Sequence, residues 1–240
     1  MNFGPMFYLD QQHKSIEARA YRVVEAQHIS SSRDLVESID EHDLLEELLE
    51  EVKPKISTSK HYLIFTPFRY PPLKYGSRFG KQYETSLWYG SMDLNTALSE
   101  VAYYRLKFFA DTSANLGFSE IPMTVFNAYI KSMHGLDLTE DPFSEHQDKI
   151  SDKTSYEYSQ ALGSEMRKSG IKTFIFDSAR SAPPGKNIAA FTPEVFIQRD
   201  NQYISNMQNW QCLTHKNSIE FTRVEISSKK RFSFYPADFE

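Results

Sequence analysis

The chain is poor in the features that would tie it to an oxidising compartment or a bilayer. One of its 240 residues, Cys212, is a cysteine, so no intramolecular disulfide can form, and the reducing cytoplasm is the expected compartment. No run approaches the roughly 18–20 apolar residues of a membrane span. The start, MNFGPMFYLDQQHK, lacks the basic segment and long apolar run of a signal peptide. Positive charge is in deficit: 27 Lys and Arg stand against 32 Asp and Glu, for a net charge of -5 and a pI near 5.8. A chain that binds nucleic acid directly needs a basic surface to displace counterions, so that class is disfavoured, while a local basic pocket for a phosphate-bearing small molecule stays open. There is no GxGxxG and no P-loop, which disfavours the usual nucleotide cradles. There is no GxSxG elbow to support a Ser-His-Asp hydrolase. The histidines (His13, His28, His42, His61, His134, His146 and His215) show no metal-ligand spacing with a cysteine pair, so no metal is expected. Internal repeats and low-complexity linkers are also lacking.

What is abundant is aromatic: 18 Phe, 14 Tyr and 2 Trp make 14% of the chain. That content fits a thick β-rich core, and also a pocket that stacks flat ligands. The length suits a single domain over 1–240, read as a loose arm over 1–18, a core from about 20 to 196, and C-terminal strands to 240. AYRVVEA (Ala20 to Ala26) reads as a strand, followed by a helix cap at Ser31 or Ser32. IDEHDLLEELLEEVKP reads as an acidic amphipathic helix with Leu44, Leu45, Leu48, Leu49 and Val52 on one face against the core and Pro54 as its stop. Docking to a partner protein is its alternative role. HYLIF is read as a strand, TPFRYPPLKYGSRFGKQYE as a long structured loop and SLWYG as a strand. DLNTALSEVAYYRLKFF is a helix capped by Asp93 or Ser91, with Leu94, Ala97, Leu98, Val101, Ala102 and Phe108 as its apolar face. A strand, EIPMTVFNAYIKSM, precedes a helix ending at Gly170; strands KTFIFDS, NIAAF and EVFIQ and C-terminal hairpins around NWQCLTH and SIEFTRVEI complete the reading. The class is α+β, with more strand than helix and no βαβ rhythm.

Three polar residues fall at equal spacing on unlike elements: Arg78 in the glycine-flanked loop GSRFG, Tyr89 at the end of LWYG, and Glu100 in the next helix. Ser178 ends the strand FIFDS. A carboxylate near a ribose stabilises an oxocarbenium-like cation, an arginine grips phosphate oxygens with a planar fork, and a tyrosine ring stacks on a flat base. Each residue also has a plain reading: a surface arginine paired with an acid, a core tyrosine, a solvated helix glutamate and a turn serine.

In order, YRVVEA, GSRFG, LWYGSMDLNTALSEVAYYR and FIFDSARSAPPGKNIAAF resemble the motifs of the RES domain family, from about Ala20 to Phe196. The loop reads GSRFG where the family often has GGRWN, and DSAR stands where it often has PSAR. The resemblance implies an ADP-ribosyltransferase-like fold and a toxin of a toxin–antitoxin module that consumes NAD as substrate by hydrolysis or phosphorolysis, with an Xre-type antitoxin as partner. Its alternatives are a protein ADP-ribosyltransferase with a specific target and a non-catalytic interaction module. Carried onto this chain, the resemblance makes Glu100, Arg78 and Tyr89 catalytic, and Arg78, Tyr89, Ser178 and Arg22 NAD-binding. Asn187 matches a structural asparagine.

Overall fold

The computed structural model describes residues 8–26, 36–51, 60–70, 74–114, 116–225 and 230–240. Its spine is β3 (Phe118–Asp137), twenty residues long, in which Met123 through Ala128 are all buried. A strand buried on consecutive residues has both faces covered. β1 (Lys14–Glu25) runs antiparallel along one edge of β3, from Gly135 back to Met123. On the other edge β6 (Ile204–His215) pairs antiparallel with Phe118–Ala128, and β4 (Thr173–Asp177) pairs parallel with Gly135–Asp137. β5 (Lys186–Ala190) follows β4, and β2 (Trp88–Ser91) follows β5. β2 then meets β1 through Tyr21 and Ser91. Five strands therefore close a ring, while β7 (Ser218–Arg223) and β8 (Arg231–Phe234) extend the sheet beyond β6. The mixed α+β class is as expected.

Several elements differ from the sequence reading. β1 begins at Lys14, inside the stretch read as a loose arm, because its alternate residues Ile16 and Ala20 pack into the core. The parallel β3–β4 pair is joined through α4 (Gln147–Ile150) and α5 (Glu157–Lys168), a crossover the sequence rhythm did not reveal. HYLIF is not a strand: it opens α2 (Tyr62–Arg69), one of whose free first-turn N–H groups is capped, His61 Nδ1 accepting from the Leu63 N–H at 3.2 Å. Leu63, Ile64 and Phe68 then lie on one helical face against Trp88 and Phe196, and tertiary packing overrides the β-propensity of the segment. EVFIQ is not a strand either. Pro193 begins a short 3₁₀ turn (Pro193–Val195), and its missing N–H cannot join a ladder; Phe196 keeps one isolated bridge to Ile130.

The acidic helix is present as α1 (Ile39–Glu51), but Leu44, Leu48 and Leu49 are exposed rather than seated on the core. Ser31, Ser32, Val52 and Pro54 lie outside the described residues. α3 (Leu94–Asp111) buries Ala97, Leu98, Ala102, Leu106 and Phe109, of which Leu98, Ala102 and Leu106 pack with residues of β3, β6 and β7. Phe108 is 61% exposed, off that stripe, so the apolar face turns through Leu106 and Phe109 instead. Gly170 has φ 73° just past α5, the left-handed position a helix end favours.

Candidate active site

Asp93 fixes where α3 starts. Its Oδ1 accepts from the Thr96 N–H at 2.9 Å and its Oδ2 accepts from the Thr96 hydroxyl at 2.7 Å, the hydrogen bond of a helix N-cap. Two turns further on, Glu100 faces the ends of β2, β4 and β5. The register pairs Ser91 with Asn187, and the Ser91 hydroxyl donates to Asn187 Oδ1 at 2.6 Å. The Asn187 amide is thereby oriented and donates through Nδ2 to Glu100 Oε1 at 2.6 Å. Ser178 donates its hydroxyl to the same oxygen at 2.7 Å and accepts the Arg180 N–H at 3.1 Å. One carboxylate oxygen is thus held by two donors, and Oε2 has no hydrogen-bond partner among the described residues. Ser178, 5% exposed, stands behind the carboxylate rather than in the cleft wall.

Arg78 sits at the tip of a tight turn closed by Ser77 and Gly80. Gly76 precedes it with φ 72°, and a Cβ there would lie 2.2 Å from the Gly80 carbonyl oxygen, so only glycine fits. Phe79 anchors the turn, packing edge-on against Phe174 and Phe176. The Tyr89 hydroxyl accepts the Phe79 N–H at 3.2 Å and shares a hydrogen bond with Ser77 Oγ at 2.9 Å. Tyr89 therefore clamps the turn on both sides of Arg78. Burial pushes its phenol pKa above the ordinary tyrosine value, so it stays protonated. Arg78 Nη1 donates to the Asp152 carbonyl at 2.8 Å, and the guanidinium lies over the Tyr156 ring at 4.6 Å. No carboxylate pairs with it among the described residues.

Arg22, on β1, donates through Nη1 to the Tyr89 carbonyl at 3.1 Å and lies 5.0 Å over the Trp88 ring. Desolvation pulls its guanidinium down to about 10, still fully charged at neutral pH. It too lacks a carboxylate partner among the described residues. Arg22, Arg78, Tyr89, Glu100 and Asn187 line one cleft of about 520 Å³, within the roughly 300–1,000 Å³ of small-molecule sites. Two cations without a carboxylate partner among the described residues, a positioned carboxylate and aromatic walls suit an anionic ligand that carries flat rings. Among the described residues no group of three or more His, Cys, Asp or Glu is placed to hold a metal ion, and no helix is long and apolar enough to cross a membrane.

Sequence reading missed part of the cleft. Tyr104, one turn after Glu100 on α3, lines it, as does Tyr156 from the loop before α5. The i, i+4 spacing of Glu100 and Tyr104 was the available signal. Nothing local in the sequence pointed to Tyr156.

The model of the RES domain matches residues 54–212, a span that holds Arg78, Tyr89, Glu100, Ser178 and Asn187. The chain belongs to the RES family. Arg22 of this RES chain precedes the matched span and joins the site through the β1–β2 and β1–β3 pairings. A chain of the crystal structure of the M. tuberculosis MbcT–MbcA toxin–antitoxin complex is similar over 83% of this RES chain and 90% of its own length, with 11% identity and a TM-score of 0.49. No curated protein sequence matches.

Proposed function

We propose that this RES-family chain is the toxin of a toxin–antitoxin module and cleaves the nicotinamide–ribose bond of NAD, with an Xre-type antitoxin as its partner. The observation that carries the reading is the Glu100 carboxylate, held on one oxygen by Asn187 and Ser178 at the wall of a cleft that also presents Arg22 and Arg78, neither with a carboxylate partner among the described residues.

NAD is the substrate here, and the reaction needs no resident cofactor. Arg22 and Arg78 draw in the diphosphate, as paired guanidinium groups do with phosphate oxygens. The aromatic walls pack the bases. The C1′–N bond breaks heterolytically, its electron pair leaving with nicotinamide, and the ribosyl centre becomes cationic. Glu100 faces that centre and stabilises it electrostatically, the contribution that is usually largest in such a site. Because Asn187 and Ser178 preset its position, little reorganisation is needed as charge develops. Water then adds to give ADP-ribose and a proton, or inorganic phosphate adds to give the 1″-phosphate.

Expression of wild type should drain cellular NAD and stop growth, whereas Glu100→Ala should do neither while remaining soluble, since a helix accepts alanine readily. Purified wild type should lose roughly a hundredfold or more in turnover with this substitution. Growth arrest with NAD intact would replace this reading by modification of a specific protein; labelled NAD would then transfer its label to a polypeptide.

A further inference from the structure

The cleft has two walls that carry different chemistry. Glu100 stands on α3, and Arg78 stands on the turn that backs against the segment between α4 and α5. Tyr104 lies four residues after Glu100, so both side chains leave α3 on the same face. Tyr156 immediately precedes α5, and the Arg78 guanidinium rests over its ring at 4.6 Å. The two phenol oxygens meet at 2.6 Å. Asp152 in the same short segment and Ile150 at the end of α4 supply the carbonyls that accept from Arg78 Nη1, and Asp152 braces the segment by accepting the Thr154 and Ser155 N–H groups.

We infer that the Tyr104–Tyr156 hydroxyl bridge is a clasp that sets the width of the cleft, holding the arginine wall at the distance from Glu100 that a dinucleotide spans. Both are positioning residues, Tyr156 acting through the guanidinium above it and Tyr104 through Tyr156. A fold has little need of this bond. Tyr104 is 49% exposed, and water would satisfy both hydroxyls at the surface, so the bridge adds little to stability. What it does add is a tie between α3, which carries Glu100, and the distant 150–156 segment, against which the Arg78 guanidinium rests.

This inference rests on the NAD reading for its kinetic arm and on hydrogen exchange for an arm independent of it. Purified wild type, Tyr104→Phe, Tyr156→Phe, the double variant and Tyr156→Leu would be compared over a range of NAD concentrations. Each Phe variant keeps its ring but breaks the bridge, so KM should rise roughly three- to tenfold, the fold-change of one net hydrogen bond, with kcat changing by less than about twofold. The double variant should be no worse than either single one, because both remove the same bond. Tyr156→Leu, which also removes the platform under Arg78, should lose more. In Tyr104→Phe, amide exchange over residues 151–156 should quicken although the substitution is on α3. Additive single effects, or unchanged KM and unchanged exchange, would overturn the clasp. If wild type consumes no NAD, the parent reading fails, and the exchange result alone decides whether the clasp exists.

Discussion

At the scale of single residues, Asn187 and Glu100 do different work although they touch. Asn187 is 3% exposed and bridges the Ser91 hydroxyl to the Glu100 carboxylate. Removing it leaves the buried Ser91 hydroxyl without its acceptor, a loss of about 1–3 kcal/mol, and frees one side of Glu100. Asn187→Ala should therefore lower both stability in denaturant and NAD turnover, the latter roughly tenfold or more. Glu100→Ala should depress turnover further. Equal midpoints for Asn187→Ala and wild type would show that the bridge does not support the sheet. Arg78, Tyr89 and Glu100 were readable as residues of chemical promise because arginine, tyrosine and glutamate have few equivalents as fork, flat ring and carboxylate. The clamp that Tyr89 forms around the Arg78 turn was not readable, since it depends on where the phenol oxygen falls in space.

At the scale of elements, the Arg78 turn is shaped by the helix behind it. Gly163 lies in α5 with its Cα against the turn, and a Cβ there would sit 2.1 Å from the Phe79 carbonyl oxygen. Helix propensity alone favours Gly163→Ala by about 1 kcal/mol. Backbone overpacking acts against it by about 1–3 kcal/mol, and the neighbour that would have to move is the residue next to Arg78. We expect Gly163→Ala to lower the melting temperature and to raise KM for NAD. A stabilised variant with unchanged kinetics would show that the turn yields freely. The α2 segment makes the same point in reverse. HYLIF has the composition of a strand, yet the His61 cap and the burial of Leu63, Ile64 and Phe68 make it helical, because what decided the conformation was the surface available to cover.

At the scale of the whole molecule, the ring of strands is pinned near the far end of β3 by Asp137. Burial would raise its carboxyl pKa, but hydrogen bonds from the Thr139 hydroxyl and N–H, with the charges of Lys186 and Lys14, outweigh that and hold it below the ordinary 3.8. Those partners come from three parts of the chain: β1, the turn after β3, and β5. A folded-state value below the unfolded one contributes stability that is fully present above 3.8 and is lost as pH falls through the lowered value. Asp137→Asn should therefore be destabilised relative to wild type at neutral pH, with the gap closing in acid. Denaturant unfolding at neutral and strongly acidic pH tests this, and a gap that widened in acid would contradict it.

The sequence by itself determined the α+β class, the amphipathic α3 with its start near Ser91 or Asp93, most strand positions, and the chemical identities in the site. Each depends on local periodicity, capping or side-chain type, which a short window contains. Only the tertiary structure decided that β3 and β4 run parallel, that β1 closes the ring and brings Arg22 to the cleft, and that Ser178 and Asn187 share one oxygen of Glu100. It alone brought Tyr156 across to Tyr104. These are pairings between residues far apart along the chain, set by which surfaces bury each other when the sheet closes.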